Sequence, residues 1–139
     1  MAFKVLTDAF VSIGGTDFSD HVKSVTLNYS AEVHDVTAMG DASRSRLAGL
    51  KDWSVDIEFY QDFADNSIDE TLFDAVGVET AIKVRSSKTD AISATNPEYQ
   101  GNGIMSSFPI VGAAVGEVVM TSVTFECSDG VALIRDIVA

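Results

Sequence analysis

Between Trp53 and Asp62 apolar and polar residues alternate without a slip, Trp53, Val55, Ile57 and Phe59 on one side and Ser54, Asp56, Glu58, Tyr60 and Asp62 on the other. Only an extended chain sends successive side chains to opposite faces, so this segment is a strand with one face in a core. Fully burying side chains such as Val, Ile and Phe is worth about 1.5–3 kcal/mol each, and a one-residue slip would forfeit all of it. The facing of this strand is therefore fixed before its partners are known.

The same period recurs along the chain. Val25, Leu27 and Tyr29 oppose Thr26, Asn28 and Ser30, and the signal resumes from Val33 to Val36. Ala9 to Ile13 runs into Gly14-Gly15, a hairpin dipeptide, with a return near Phe18. Ala81 to Ser86 and Ala91 to Ala94 read as shorter strands around a polar turn. After the break at Asn96-Pro97, Tyr99 to Val111 reads as extended, with Gly101-Asn102-Gly103 as a bulge or bend. Glu117 to Cys127 is a second long strand whose apolar start, Val118-Val119-Met120, implies cover on both faces. From Asn66 to Gly77 the period changes to that of a helix, with Ile68, Leu72, Phe73 and Val76 on one stripe. Ser67 is its expected N-cap, Glu70 the capping-box partner and Gly77 the stop. The predicted fold is mainly β: an antiparallel sandwich in a single domain over 1–139, with one flanking helix at 66–77 and a long inter-strand loop.

That loop, Thr37 to Lys51, carries Met39, Leu47 and Leu50 among Arg44, Arg46 and Lys51. Loops of this length in a compact domain either bind something or are mobile, and the mixture of apolar and basic groups suits docking onto an acidic face of another copy. Two further segments are apolar without an obvious cover. Val111 to Gly116, with Val111 and Val115, offers almost no polar side chain to water. Ser128-Asp129-Gly130 reads as a hairpin turn into 131–139, an arm or strand that contains Ile134 and Ile137. Such elements in one small domain point to assembly.

Composition narrows the function classes. Apolar residues make up 46% of the 139, which is incompatible with disorder throughout. The single cysteine, Cys127, allows no internal disulfide and no zinc site of its own. His21 and His34, each beside an aspartate, lack the spacing of a known ligand set, and neither glycine pair opens a helix as a phosphate-binding loop does. No catalytic residue, metal site or cofactor is expected, and the chain reads as a non-enzyme. No apolar run approaches the roughly 18 residues of a membrane span, so a soluble chain made in the cytoplasm, with no membrane partner, is the expectation. The formal charge of −12, from 21 acidic against 9 basic side chains, opposes adhesion to phosphate backbones. Its plain reading is solubility; its sharper one is a surface that repels a polyanion.

In order and spacing these segments resemble the major tail tube proteins of long-tailed bacteriophages, within a superfamily that includes the type VI secretion tube. The likeness is carried by Phe18-Ser19-Asp20-His21-Val22-Lys23-Ser24-Val25, Asp35-Val36-Thr37-Ala38-Met39-Gly40-Asp41, Gly49-Leu50-Lys51-Asp52-Trp53-Ser54, Phe59-Tyr60-Gln61-Asp62-Phe63, Thr95-Asn96-Pro97-Glu98-Tyr99 and Val115-Gly116-Glu117 leading into Thr121 to Phe125.

The resemblance implies a virion structural protein: a homo-oligomer of six-membered rings, stacked into the hollow conduit for DNA ejection. It implies other tail proteins as partners, namely tape measure, tail tip and terminator, and a loop at 37–51 that reaches the adjacent ring. DNA would pass through without specific binding. Asp56, Glu58, Asp62 and Glu126, with Glu32, are then the expected lumen-facing acids. The alternative is a monomeric β-sandwich module that binds a carbohydrate or protein ligand; Tyr60 and Tyr99 are its outward aromatics, whereas Tyr29, Trp53 and Phe59 face inward.

Overall fold

The computed structural model describes residues 3–138; Met1, Ala2 and Ala139, the last residue of the expected C-terminal arm, lie outside them. The elements are β1 (Phe10–Ile13), β2 (Thr16–Asp17), a 3-10 turn (Ser19–His21), β3 (Val22–Asp35), β4 (Arg46–Tyr60), α1 (Ile68–Ala75), β5 (Thr80–Arg85), β6 (Glu98–Met105), β7 (Met120–Cys127) and β8 (Ile134–Asp136). The strands pair antiparallel in one hydrogen-bonded sheet of order β2-β1-β5-β6-β7-β4-β3. β8 pairs with Glu98 to Gln100 of β6, whereas β7 takes Gly103 to Met105. The antiparallel, mainly-β architecture with one flanking helix forms as expected.

The sheet closes over itself as a sandwich does. In a flat sheet β2 and β4 would lie roughly 24 Å apart at the usual strand spacing. Here Phe18, just past β2, sets its ring edge-on to Phe59 of β4 with centroids 6.3 Å apart. Val11 and Ile13 of β1, Ile82 of β5, Val55 and Ile57 of β4, and Val123 and Phe125 of β7 join them in one core. The alternating segment thus buries the face its pattern requires.

Gly101 and Gly103 explain how the inside can pack so closely. They form no bulge: the β5–β6 ladder runs unbroken from Thr80 opposite Gly103 to Arg85 opposite Glu98. Instead the buried Trp53 ring lies on the β6 backbone, where a Cβ at Gly101 would come within 2.5 Å of the indole and one at Gly103 within 3.1 Å. The glycines are there for space.

Other expectations shift for identifiable reasons. On α1 the buried residues are Ile68, Leu72 and Ala75, while Phe73 is 62% exposed. Those three follow the i, i+4, i+7 stripe, and Phe73 is turned about 100° from Leu72. The Ser67 hydroxyl donates to Asp62 instead of capping the helix, and the Glu70 carboxylate accepts from the Asn66 N–H at 2.9 Å. Ala91 to Ala94 forms no strand, only an isolated bridge between Ser93 and Asn96. The buried Asn96 side chain accepts from the Ser86 hydroxyl and Ser87 N–H and donates to the carbonyls of Ser87, Asp90 and Ala91. It holds that segment as a compact loop. β7 starts at Met120, leaving Val118 exposed, and 128–130 is no hairpin turn. Both edges of β7 are taken by β4 and β6, so the C-terminal strand adds to β6.

Replacing Gly101 with Val should lower stability by about 1–3 kcal/mol through overpacking against Trp53, read as a lower denaturant midpoint at unchanged slope. Replacing Asn102, whose side chain points away from the indole, with Val is expected to cost less.

Candidate assembly surfaces

β3 has 14 residues and β4 has 15, but β7 has only 8 and pairs β4 only from Ser54 to Tyr60. Beyond Trp53 the two long strands pair with each other alone. From Ser30 to Asp35 and from Arg46 to Asp52 they form a two-stranded arm that projects roughly 20 Å, every residue of it exposed. The expected loop 37–51 is therefore half strand: Arg46 to Lys51 belong to β4, and the connection shrinks to 36–45. Within the arm Gly49 and Leu50 together oppose Glu32, a bulge. A Cβ on Gly49 would come within 2.8 Å of His34 Nε2 and 3.1 Å of Glu32 Oε2, which approach each other at 3.5 Å.

The tip is built, not slack. The Val36 N–H donates to the Ser45 carbonyl at 2.8 Å. The Asp35 carboxylate accepts from the Thr37 N–H and hydroxyl at 2.9 and 2.6 Å and from Arg44 at 2.8 Å. Ala38 to Asp41 closes as a turn in which Gly40 takes φ +93° and Asp41 accepts from the Ala38 N–H. Met39 stands fully exposed at the apex, with Leu47 and Leu50 exposed along the arm. Among the described residues Arg46 and Lys51 make no ion pair, whereas Arg44 is engaged by Asp35.

The Thr37 hydroxyl and N–H, aided by Arg44, hold the Asp35 carboxyl below its ordinary range. A depressed folded-state pKa stabilises the tip above the ordinary carboxylate range, and that contribution is lost as pH falls through the folded value. Slow amide exchange at Val36 and Ser45 should hold down to about pH 4 and weaken below it, and Asp35→Asn should loosen both sites at neutral pH.

At the other end of β4 lies a second set of exposed apolar groups. The Gln61 N–H donates to Val119 and its side chain to the Ile110 carbonyl, and the Thr121 hydroxyl donates to Pro109. These bonds pin the roots of a segment closed by a turn from Ala114 to Glu117, with Val111, Val115 and Val118 in the open. Phe63, Phe73, Val76 and Val78 are exposed around α1. Ile134 and Ile137 lie elsewhere, half-exposed on and after β8.

The outward faces of β3, β4 and β7 form a third surface. Ser24 and Thr26 stand beside Asp56 and Glu58, and those beside Ser122 and Thr124, with Glu126 further along. The Thr124 hydroxyl donates to Asp56 at 2.5 Å; Ser24 and Lys23 approach Glu58 at 3.4 and 3.7 Å. Asp62 is not on this face. It lies past the end of β4, accepting from the Ala64 N–H, the Ser67 hydroxyl and His21, which hold its carboxyl below the ordinary range. Glu32 stands on the arm beside His34. The two histidines thus sit at opposite ends of β3, each with a different carboxylate.

An apolar groove of about 420 Å³ opens between Val25, Leu27 and Tyr29 of the end strand β3 and Val84 of β5, Tyr99 of β6 and Leu133 opposite. Its one charged neighbour among the described residues, Arg85, is committed to Glu98 at 2.8 Å and to the Phe10 ring.

No protein-family model and no curated protein matches the chain. Solved structures do. One chain from the virion of a native gene transfer agent particle superposes with a TM-score of 0.66 at 17% identity, over 92% of this chain and 95% of that one. Another, from the tail of an empty gene transfer agent particle refined with helical C6 symmetry, gives 0.59 at 16% identity over 83% and 81%. This chain shares the fold of these two chains. Sequence reasoning missed the exposed face of α1, because Phe73 looks like core by composition; only its offset from the Ile68–Leu72–Ala75 stripe gives it away.

Proposed function

We propose that the chain is a non-enzymatic structural subunit of a virion tail tube, a single tail-tube-like domain that closes into rings, six-membered in line with the C6 symmetry of the second neighbour, which stack into a hollow conduit for DNA. The observation that carries this reading is the arm. A paired ribbon that leaves its own body, with a built tip and exposed Met39, Leu47 and Leu50, has no intramolecular use, and each exposed Leu costs hydration that a partner relieves. The second apolar set stands at the opposite end of the same strand. Surfaces that differ and face opposite ways generate an open, head-to-tail array. The tail fold and the acidic balance support the same reading, with a virion as the location and tape measure, tip and terminator proteins as further partners.

In this reading the hydroxyl-and-carboxylate face of β3, β4 and β7 lines the conduit. Asp56, Glu58 and Glu126 repel phosphate, while Ser24, Thr26, Ser122 and Thr124 hold water, so a duplex slides without a sticking point. Val111, Val115, Ile134 and Ile137 serve contacts between copies.

The second reading, a monomeric binding module, rests on the groove with Tyr29 and Tyr99. A carbohydrate site needs several free polar groups to orient its ligand, and the groove offers few beyond the committed Arg85.

Leu47→Asp with Leu50→Asp should leave a folded subunit that no longer polymerises, visible as loss of filaments by negative-stain microscopy with an unchanged circular dichroism spectrum; filaments of normal length would remove the arm from the contact. Asp56→Lys, Glu58→Lys and Glu126→Lys together should permit tubes but slow DNA ejection from assembled particles. Unaltered ejection kinetics would take this face out of the conduit.

A further inference from the structure

We infer that Asp129 sets the register of the C-terminal strand on β6, holding that strand in one of two registers that the same sheet edge offers. The device belongs to the single subunit and is independent of the tube reading. β5 fills one edge of β6; β7 and β8 share the other, both antiparallel to it, β7 opposite Gly103 to Met105 and β8 opposite Glu98 to Gln100. Two residues of β6, Gly101 and Asn102, lie between these ladders, whereas the C-terminal chain spends six there, Ser128 to Leu133. β8 is therefore the continuation of β7, displaced by an excursion of four extra residues. The register of β7 persists for one step beyond the strand, since the Ser128 N–H donates to the Asn102 carbonyl at 3.2 Å.

Run straight, the chain would set Asp129 opposite Gly101, Gly130 opposite Gln100, Val131 opposite Tyr99 and Ala132 opposite Glu98. The offset between the two registers is even, so every side chain keeps its face and the same alternate backbone groups meet β6. The straight register gives up the packing of Leu133 at the edge of the core but improves two contacts. The exposed Val131 would stand beside Tyr99. Ala132 would replace Asp136 across from Glu98, where two carboxylates now share the Gln100 amide at 2.8 and 3.3 Å.

Asp129 decides between the two. Opposite Gly101 its side chain would face the buried Trp53 indole, which lies on the β6 backbone at that residue. A carboxylate placed there without a partner is costly. In the excursion it lies on the outer face instead, accepting from the Asn102 side chain at 3.1 Å and from the Val131 N–H at 3.0 Å, in a turn where Gly130 takes φ +71°. One carboxylate thus closes the excursion and bars its removal. Straightening would hand roughly 13 Å of chain to the C-terminal end.

Disulfide trapping in the full chain, with Cys127→Ser to leave no competing thiol, reads the register directly. Tyr99→Cys with Arg135→Cys reports the observed register and should close readily. Tyr99→Cys with Val131→Cys reports the straight one and should close at least roughly tenfold more slowly while Asp129 is present. Adding Asp129→Ala should reverse that order, and Asp129→Asn, which keeps the size without the charge, should narrow the gap. Circular dichroism checks that each variant is folded; if Asp129→Ala is not, the Asn variant decides. An unchanged gap in a folded Asp129 variant would remove Asp129 from control of the register. Slow closure of both pairs would mean that the strand leaves β6 altogether, which also overturns the second register.

Discussion

The rest of this molecule follows from a mismatch of strand lengths. β3 and β4 bond to each other for nearly twice the length over which β7 can cover them. Where the third strand is present, the ribbon has an apolar face, and Val55, Ile57 and Phe59 fill the core. Where it is absent no layer exists to bury anything, yet the backbone bonds continue. A two-stranded ribbon is marginal by itself in water. The arm is stabilised by what its tip supplies, the Asp35 hub and the Ala38–Asp41 turn, and in the proposed assembly by a neighbour.

This division explains which parts of the fold could be read from the residues. The body strands announce themselves because burial on one face imposes alternation, and the helix because its buried stripe imposes a different period. The arm strands are exposed on both faces, so no burial pattern exists to be seen. Gly40 and Gly49 then make the whole of 37–51 look like a loop, although Gly49 sits within a strand because Glu32 and His34 occupy the space a side chain would need. Gly101 and Gly103 show the converse. Their local meaning is a bend, and their actual role depends on an indole from a distant strand, which no window of sequence contains. Asn96 looked like a chain breaker because its five hydrogen bonds reach groups set by the tertiary fold.

The candidate surfaces divide in the same way. Met39, Leu47, Leu50, Arg46 and Lys51 were legible as a group because they are close in sequence, and the structure leaves them together on the arm. Asp56 and Glu58 share a face, as alternation implied, and the pairing of β4 with β7 brings Glu126 onto it. Asp62 has the right parity for that face but lies past the end of the strand, where His21 and Ser67 claim its carboxylate. Phe73 reads as core because a large aromatic on an amphipathic helix usually is; its exposure follows from Ile68, Leu72 and Ala75 filling the space beneath. The fold likeness to gene transfer agent chains fits this picture: the backbones superpose while only 16–17% of the residues are identical.

The central claim is that the arm has no place on its own body and finds one on the next copy along a tube. Electron microscopy of the concentrated chain, seeded with a tail-tip complex, tests this through the axial repeat. The account predicts hollow filaments whose repeat is shorter than the full span from arm tip to α1, so that each arm overlaps the neighbouring ring. Single compact particles at every concentration, or filaments whose repeat leaves the arms clear of the next ring, would contradict it.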